Sequence, residues 1–76
     1  MAKNFDKNFH KKFGKRIKEL RKEKDLTQEE LSLEIGAGNS YISIVENAQR
    51  DIPLSKIHKI SKALGINLHD FFEFDK

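Results

Sequence analysis

Apolar residues return every three or four positions through most of this chain, the period of helices that bury one face. Phe5, Phe9, Phe13 and Ile17 are each four apart and Leu20 follows three later, which predicts a first helix from about Asp6 or Asn8 to Lys24. Leu31 and Ile35 share a face of a second helix, and Ile42 and Val45 give a third its own inward stripe. Leu54, Ile57, Ile60 and Leu64 mark a fourth, and Leu68, Phe71, Phe72 and Phe74 crowd a short fifth. No stretch alternates with the period of a strand. The pattern predicts a compact all-α fold of five helices. Residues 1–8 are expected to be a flexible or partly helical leader, and 9–76 one domain without linker or internal repeat.

Boundary residues sharpen these limits. Thr27 is a good N-cap, and Glu30 three residues later completes a capping box. Gly36 closes the second helix, Pro53 opens the fourth, and Gly65 ends it. Asn67 caps the fifth, with Asp70 favourable to its dipole. Gly14, inside the first helix, costs about 1 kcal/mol relative to Ala and marks either close packing or an exposed position.

Residues 26–47 therefore read as a short helix, the turn IGAG and a second short helix. Neither is stable alone, since isolated helices below about 12–15 residues are marginal in water. Packed together, they leave the outer face of the second, around GNSYIS, turned outward. That is the geometry of a helix-turn-helix, whose second helix enters the major groove of DNA.

The residues along this stretch resemble the helix-turn-helix family of lambda repressor and Cro. Its pattern falls on Leu26, Thr27, Gln28, Leu31, Gly36, Ile42, Ser43, Glu46 and Asn47, and the likeness runs from about Phe13 to Phe72. SYIS and ENAQR are, more narrowly, similar to small controller proteins of restriction–modification systems. The resemblance implies a sequence-specific transcriptional regulator that binds double-stranded DNA as a homodimer on a palindromic operator. It also implies that Arg21 and Glu46 pair to fix the angle of the reading helix. A helical protein-interaction module, such as an antitoxin or a coactivator bridge, is the competing reading of the same face.

Charge changes this picture in distribution more than in amount. The net charge is +3, only mildly suited to a polyanion. Residues 1–24 hold ten Lys or Arg against three acids, whereas 25–52 hold one Arg against six acids. Lys11, Lys12, Lys15, Lys18 and Lys22 form either a solvated face or one that tracks phosphates. Arg50 stands as the most consequential cation of the expected interface.

Other chemistry is not expected. The chain lacks cysteine, so disulfides and thiolate metal sites are out of reach. His10, His58 and His69 fall on three different predicted helices without a second ligand or nucleophile, and no phosphate loop follows a strand. Neither an enzyme, a cofactor, a metal site nor a small-molecule ligand is expected. MAKNFDKNFHKK has no apolar signal region and no run approaches a membrane span, so the expected location is the cytoplasm.

The candidate DNA-binding residues are Thr27, Gln28, Asn39, Ser40, Tyr41, Ser43, Ile44, Asn47 and Arg50. Thr27 and Gln28 match the family's phosphate-binding entry at a helix N-terminus. Asn39 and Ser40 match its leading base-contact positions, although Asn39 also suits a helix cap. Ile44, at a position commonly polar in the family, either meets a thymine methyl or is a neutral surface group. Tyr41 is expected to pack its ring along the edge and turn its hydroxyl to phosphate, and Asn47 and Arg50 match family positions that clamp backbone, the alternative for Arg50 being a base contact as in the controller proteins. Leu33, opposite Leu31 and Ile35, should face solvent or an outside partner.

At the C-terminus, Leu68 and Phe72 lie four apart and are expected to close the core over Ile57, Ile60 and Leu64. On a continuing helix Phe71 then falls about 100° and Phe74 about 200° around the axis. That arithmetic leaves Phe71 and Phe74 outside a single core; the expected dimer interface is Leu68, Phe71 and Phe74, the alternative being that Phe74 folds back on the first helix near Phe5 and Phe9. In the controller-like relatives the last helix forms a two-fold interface, which implies reading helices about 34 Å apart.

Overall fold

The computed structural model describes residues 6–74. The expected leader and the Phe5 end of the first apolar stripe lie outside them. Five helices follow in order: α1 Lys7–Glu23, α2 Gln28–Glu34, α3 Tyr41–Glu46, α4 Leu54–Ala63 and α5 Leu68–Phe71. Among the described residues there is no strand.

Local chemistry sets the starts. The Asp6 carboxylate accepts from Phe9 N and fixes the first turn of α1. At α2 the full capping box forms: Thr27 Oγ1 accepts from Glu30 N, and Glu30 Oε1 from Thr27 N. Asn67 accepts from Asp70 N and opens α5. The ends share one device. After each of α1 to α4 the chain turns left-handed, at Asp25, Gly36, Ala48 and Gly65, with φ of 57°, 74°, 53° and 68°. Each turn returns two N–H groups to the last helical carbonyls, as Gly36 N does to Leu33 O and Ala37 N to Ser32 O. Gly36 and Gly65 adopt this backbone freely, whereas Ala48 bears a steric cost of roughly 1 kcal/mol.

The core gathers Phe13, Ile17, Leu20, Leu31, Ile35, Ile42, Val45, Ile60, Leu64 and Phe71. α3 packs against both α1 and α2. Gly14 marks close packing: an added Cβ would stand 2.5 Å from Glu46 O, so only glycine lets α1 approach the end of α3.

Three apolar positions depart from expectation. Leu54 is 74% exposed, because it lies about 120° around the axis from Ile60 and about 80° from Leu64. Leu68, expected to close the core, is exposed. Phe71, expected at a dimer surface, is wholly buried. The reason is the orientation of α5: Leu68 and Phe71 lie about 60° apart on this single turn, and it sets its Phe71 side inward before the chain bends away. Phe71 thereby packs on Phe13 at 5.2 Å between ring centres, and Phe72 stacks on Phe13 at 5.5 Å. Phe74 folds back against Phe9 at 5.6 Å, as the alternative reading had it. Arg16 secures the bend by donating to the carbonyls of Asp70 and Phe71 at 2.8 and 3.2 Å. Leu33 is exposed as expected.

Candidate nucleic-acid interface

α3 turns Ile42 and Val45 into the core, and both are buried. Its other side carries Ser43 and Ile44, each half-buried, while Asn39 and Ser40 before it and Asn47 and Arg50 after it are exposed.

The start of α3 is built without a local cap. Ser40 stands at the N-cap position with no side-chain bond to the helix. Asn39 is no cap either, as its amide donates to Glu29 Oε2 at 3.4 Å. The free Ile42 N–H is instead served from α2: it donates to Ser32 Oγ at 3.0 Å, and that hydroxyl donates to Gln28 O at 2.8 Å. Ser32 is wholly buried. An unpaired N–H at that depth would cost about 1–3 kcal/mol, so this one hydroxyl both satisfies α3 and fixes it to α2. Asn39 and Ser40 are left with side-chain groups uncommitted to capping. Nothing in the sequence flags Ser32, because its partner is a backbone group ten residues away.

The far end of α3 is held by charge. Arg21 Nε donates to Glu46 Oε2 at 2.8 Å and Nη2 to Oε1 at 3.3 Å, with both side chains nearly covered. Arg21 Nη1 also donates to Leu26 O at 2.7 Å, and Gln28 Nε2 to Glu46 Oε1 at 2.9 Å. The fork of a guanidinium fits a carboxylate in one geometry, and this sets the angle of α3 against α1 and α2. Gln28 is thereby part of the frame, with one of its amide donors already engaged.

Tyr41 corrects an expectation. Its hydroxyl is buried and has no hydrogen-bond partner among the described residues, so it does not present itself to a phosphate. Burial pushes the phenol above its ordinary range, while the charge of Arg50 pulls the other way. Lys56 Nζ lies over the ring, 5.7 Å from its centre, a cation–π geometry. Lys56 and Arg50 thus both bring positive charge to Tyr41, and the sequence has no local sign of the Lys56 contact.

A further contact ties α1 to the segment after α3: His10 Nε2 lies 2.9 Å from Asp51 Oδ1. That hydrogen bond, followed by one from Ile52 N–H, holds the Asp51 carboxyl below its usual range. Among the described residues there is no group of three or more His, Cys, Asp or Glu placed to hold a metal, and no helix is long and apolar enough to cross a membrane.

A short helix pair with an outward second helix, an Arg–Glu clamp and a capping box defines a helix-turn-helix protein. Residues 17–71 match the helix-turn-helix family, and the chain belongs to it. Among known proteins it is similar to the control protein C.MunI of Mycoplasma sp, 44% identical over 60 residues, which cover 78% of this chain and 81% of that one. Control protein C.BamHI of Bacillus amyloliquefaciens is 37% identical over 68 residues, covering 88% and 84%. The HTH-type transcriptional regulator SinR of Bacillus subtilis is 34% identical over 61 residues, 79% of this chain and 55% of SinR.

Proposed function

We propose that this protein is a DNA-binding transcriptional regulator that acts as a homodimer on a palindromic operator, as the controller of a restriction–modification system in the cytoplasm. The observation that carries the reading is the outer side of α3 and the turn before it: Ser40, Ser43 and Ile44, with Asn39 bonded to Glu29 at the surface, lie outside the core on a helix pinned at both ends. Its likeness to the two control proteins supports the narrower role. Asn39 offers an amide for an adenine edge and Ile44 an apolar contact for a thymine methyl. Thr27, at the N-terminus of α2, and Asn47 and Arg50, after α3, take the DNA backbone. Of the expected dimer surface, the exposure of Leu68 on α5 supports a contact there, while Phe71 is internal and Phe74 largely engages α1.

Two substitutions separate the parts of the face. Arg50→Ala should weaken binding to every duplex and reduce the salt slope by about one unit. Asn39→Ala should change the preferred base at one position in each half-site, at about 1–3 kcal/mol. Fluorescence anisotropy across a salt series checks both. Wild-type affinity and base preference in the two variants would place the reading face elsewhere.

A further inference from the structure

Tyr41 is the first residue of α3, half-buried, with its hydroxyl covered and without a partner among the described residues. Two cations from different parts of the chain bring positive charge to it. Lys56 Nζ lies over the ring, 5.7 Å from its centre. Arg50, exposed and outside any helix, acts on the phenol through its charge. Lys56 belongs to the first turn of α4, about 40° around the axis from the buried Ile60. Its stem therefore leaves α4 at the edge of the core, and Lys56 as a whole is half-buried. The face of a Tyr ring attracts such an ammonium, while the long stem keeps the charge within reach of water.

Neither cation has a carboxylate partner among the described residues. Arg21, by contrast, is matched within the chain by Glu46. Two like charges brought to one ring without a counter-ion repel each other, and an anion bound between or beside them removes that cost. A lysine ammonium is a compact charge with three donors, suited to a phosphate oxygen and indifferent to the base beside it.

We propose that Lys56 is a further contact to the DNA backbone and that Tyr41 is its positioning residue: the ring holds the Lys56 ammonium beside the reading helix, where it and Arg50 take the phosphate strand. This rests on the DNA-binding reading above. The face of the ring carries the role, and the hydroxyl has no part in it. A lysine already held in place loses less freedom on binding than one that must first be ordered.

Anisotropy titrations of the full chain with selected and scrambled duplexes, over a salt series, separate these roles. Lys56→Gln should weaken binding to both duplexes alike and reduce the salt slope by about one unit, and the double variant with Arg50→Ala by about two. Lys62→Gln, the same loss of charge at the other end of α4, should keep the wild-type slope. Tyr41→Leu should lower affinity about two- to ten-fold, the scale of ordering one long side chain. In the Lys56→Gln background the same change should add nothing. Tyr41→Phe should bind and melt like wild type, since it keeps the ring and drops only an unpartnered hydroxyl. In case Tyr41→Leu does not fold, proton spectra of the free wild type and Tyr41→Phe test the contact directly. There the Lys56 Cε protons should lie upfield of those of Lys62, shifted by the ring, and ordinary positions would overturn the positioning role. Equal losses in Tyr41→Phe and Tyr41→Leu would assign the effect to the hydroxyl and overturn it too. A wild-type slope in Lys56→Gln overturns the phosphate contact alone, whereas a protein that binds no duplex at any salt removes the DNA reading with it.

Discussion

Arg21→Ala and Glu46→Ala are each expected to cost about 3–5 kcal/mol of stability, the usual consequence of breaking a buried ion pair from one side. The two side chains are only 9% and 4% exposed, so neither survivor can turn to water. Without Arg21, the Glu46 carboxylate keeps a single neutral donor, Gln28 Nε2, and Leu26 O loses its partner. Without Glu46, the guanidinium keeps only Leu26 O, and the Gln28 amide loses its acceptor. A domain of this length has roughly 4–11 kcal/mol in all, at 0.05–0.15 kcal/mol per residue, so either variant approaches the unfolding threshold. The double variant should cost less than the sum, since it leaves no orphaned charge. Urea unfolding of all four proteins measures the cycle. Additive losses would mean that the two groups do not meet.

Phe71→Ala is expected to cost about 3–5 kcal/mol, because it removes a fully buried aromatic from a small core. Its ring touches both Phe13 and Phe72, so the gap cannot be closed by either neighbour without giving up the other stack. Leu68→Glu, three residues earlier on the same turn, should leave the fold intact, as its side chain already meets solvent. If the proposed dimer is formed there, sedimentation at tens of micromolar should show wild type as a dimer and Leu68→Glu as a folded monomer. A Phe71→Ala protein as stable as wild type would place that ring outside the core. A monomeric wild type would remove Leu68 from any interface.

These two neighbours show how far the sequence can be read. Signals within one turn are legible: Thr27 with Glu30, Asn67 with Asp70, and the glycines at 36 and 65 all act where their spacing places them. The inward stripes of α1 to α3 are likewise explicit in the helical period. The Arg21–Glu46 clamp spans 25 residues and is visible only through resemblance to a family. Phe71 marks a limit of periodicity, which gives the angles between residues on a helix but not the face that a single turn sets inward. Ala48 occupies a backbone region that its type disfavours, so no propensity announces it. Ser32 and His10 act on partners 10 and 41 residues away, and neither residue type suggests such a reach.

The central claim is that the outer face of α3 reads base sequence. The most direct test is selection of bound duplexes from a random pool, followed by titration of the selected and scrambled sequences over a salt series. The account predicts enrichment of a two-fold symmetric sequence, bound about 10³-fold or more tightly than its scrambled form, with affinity falling linearly in logarithmic salt. No enrichment, with selected and scrambled duplexes bound alike at every salt concentration, would contradict it.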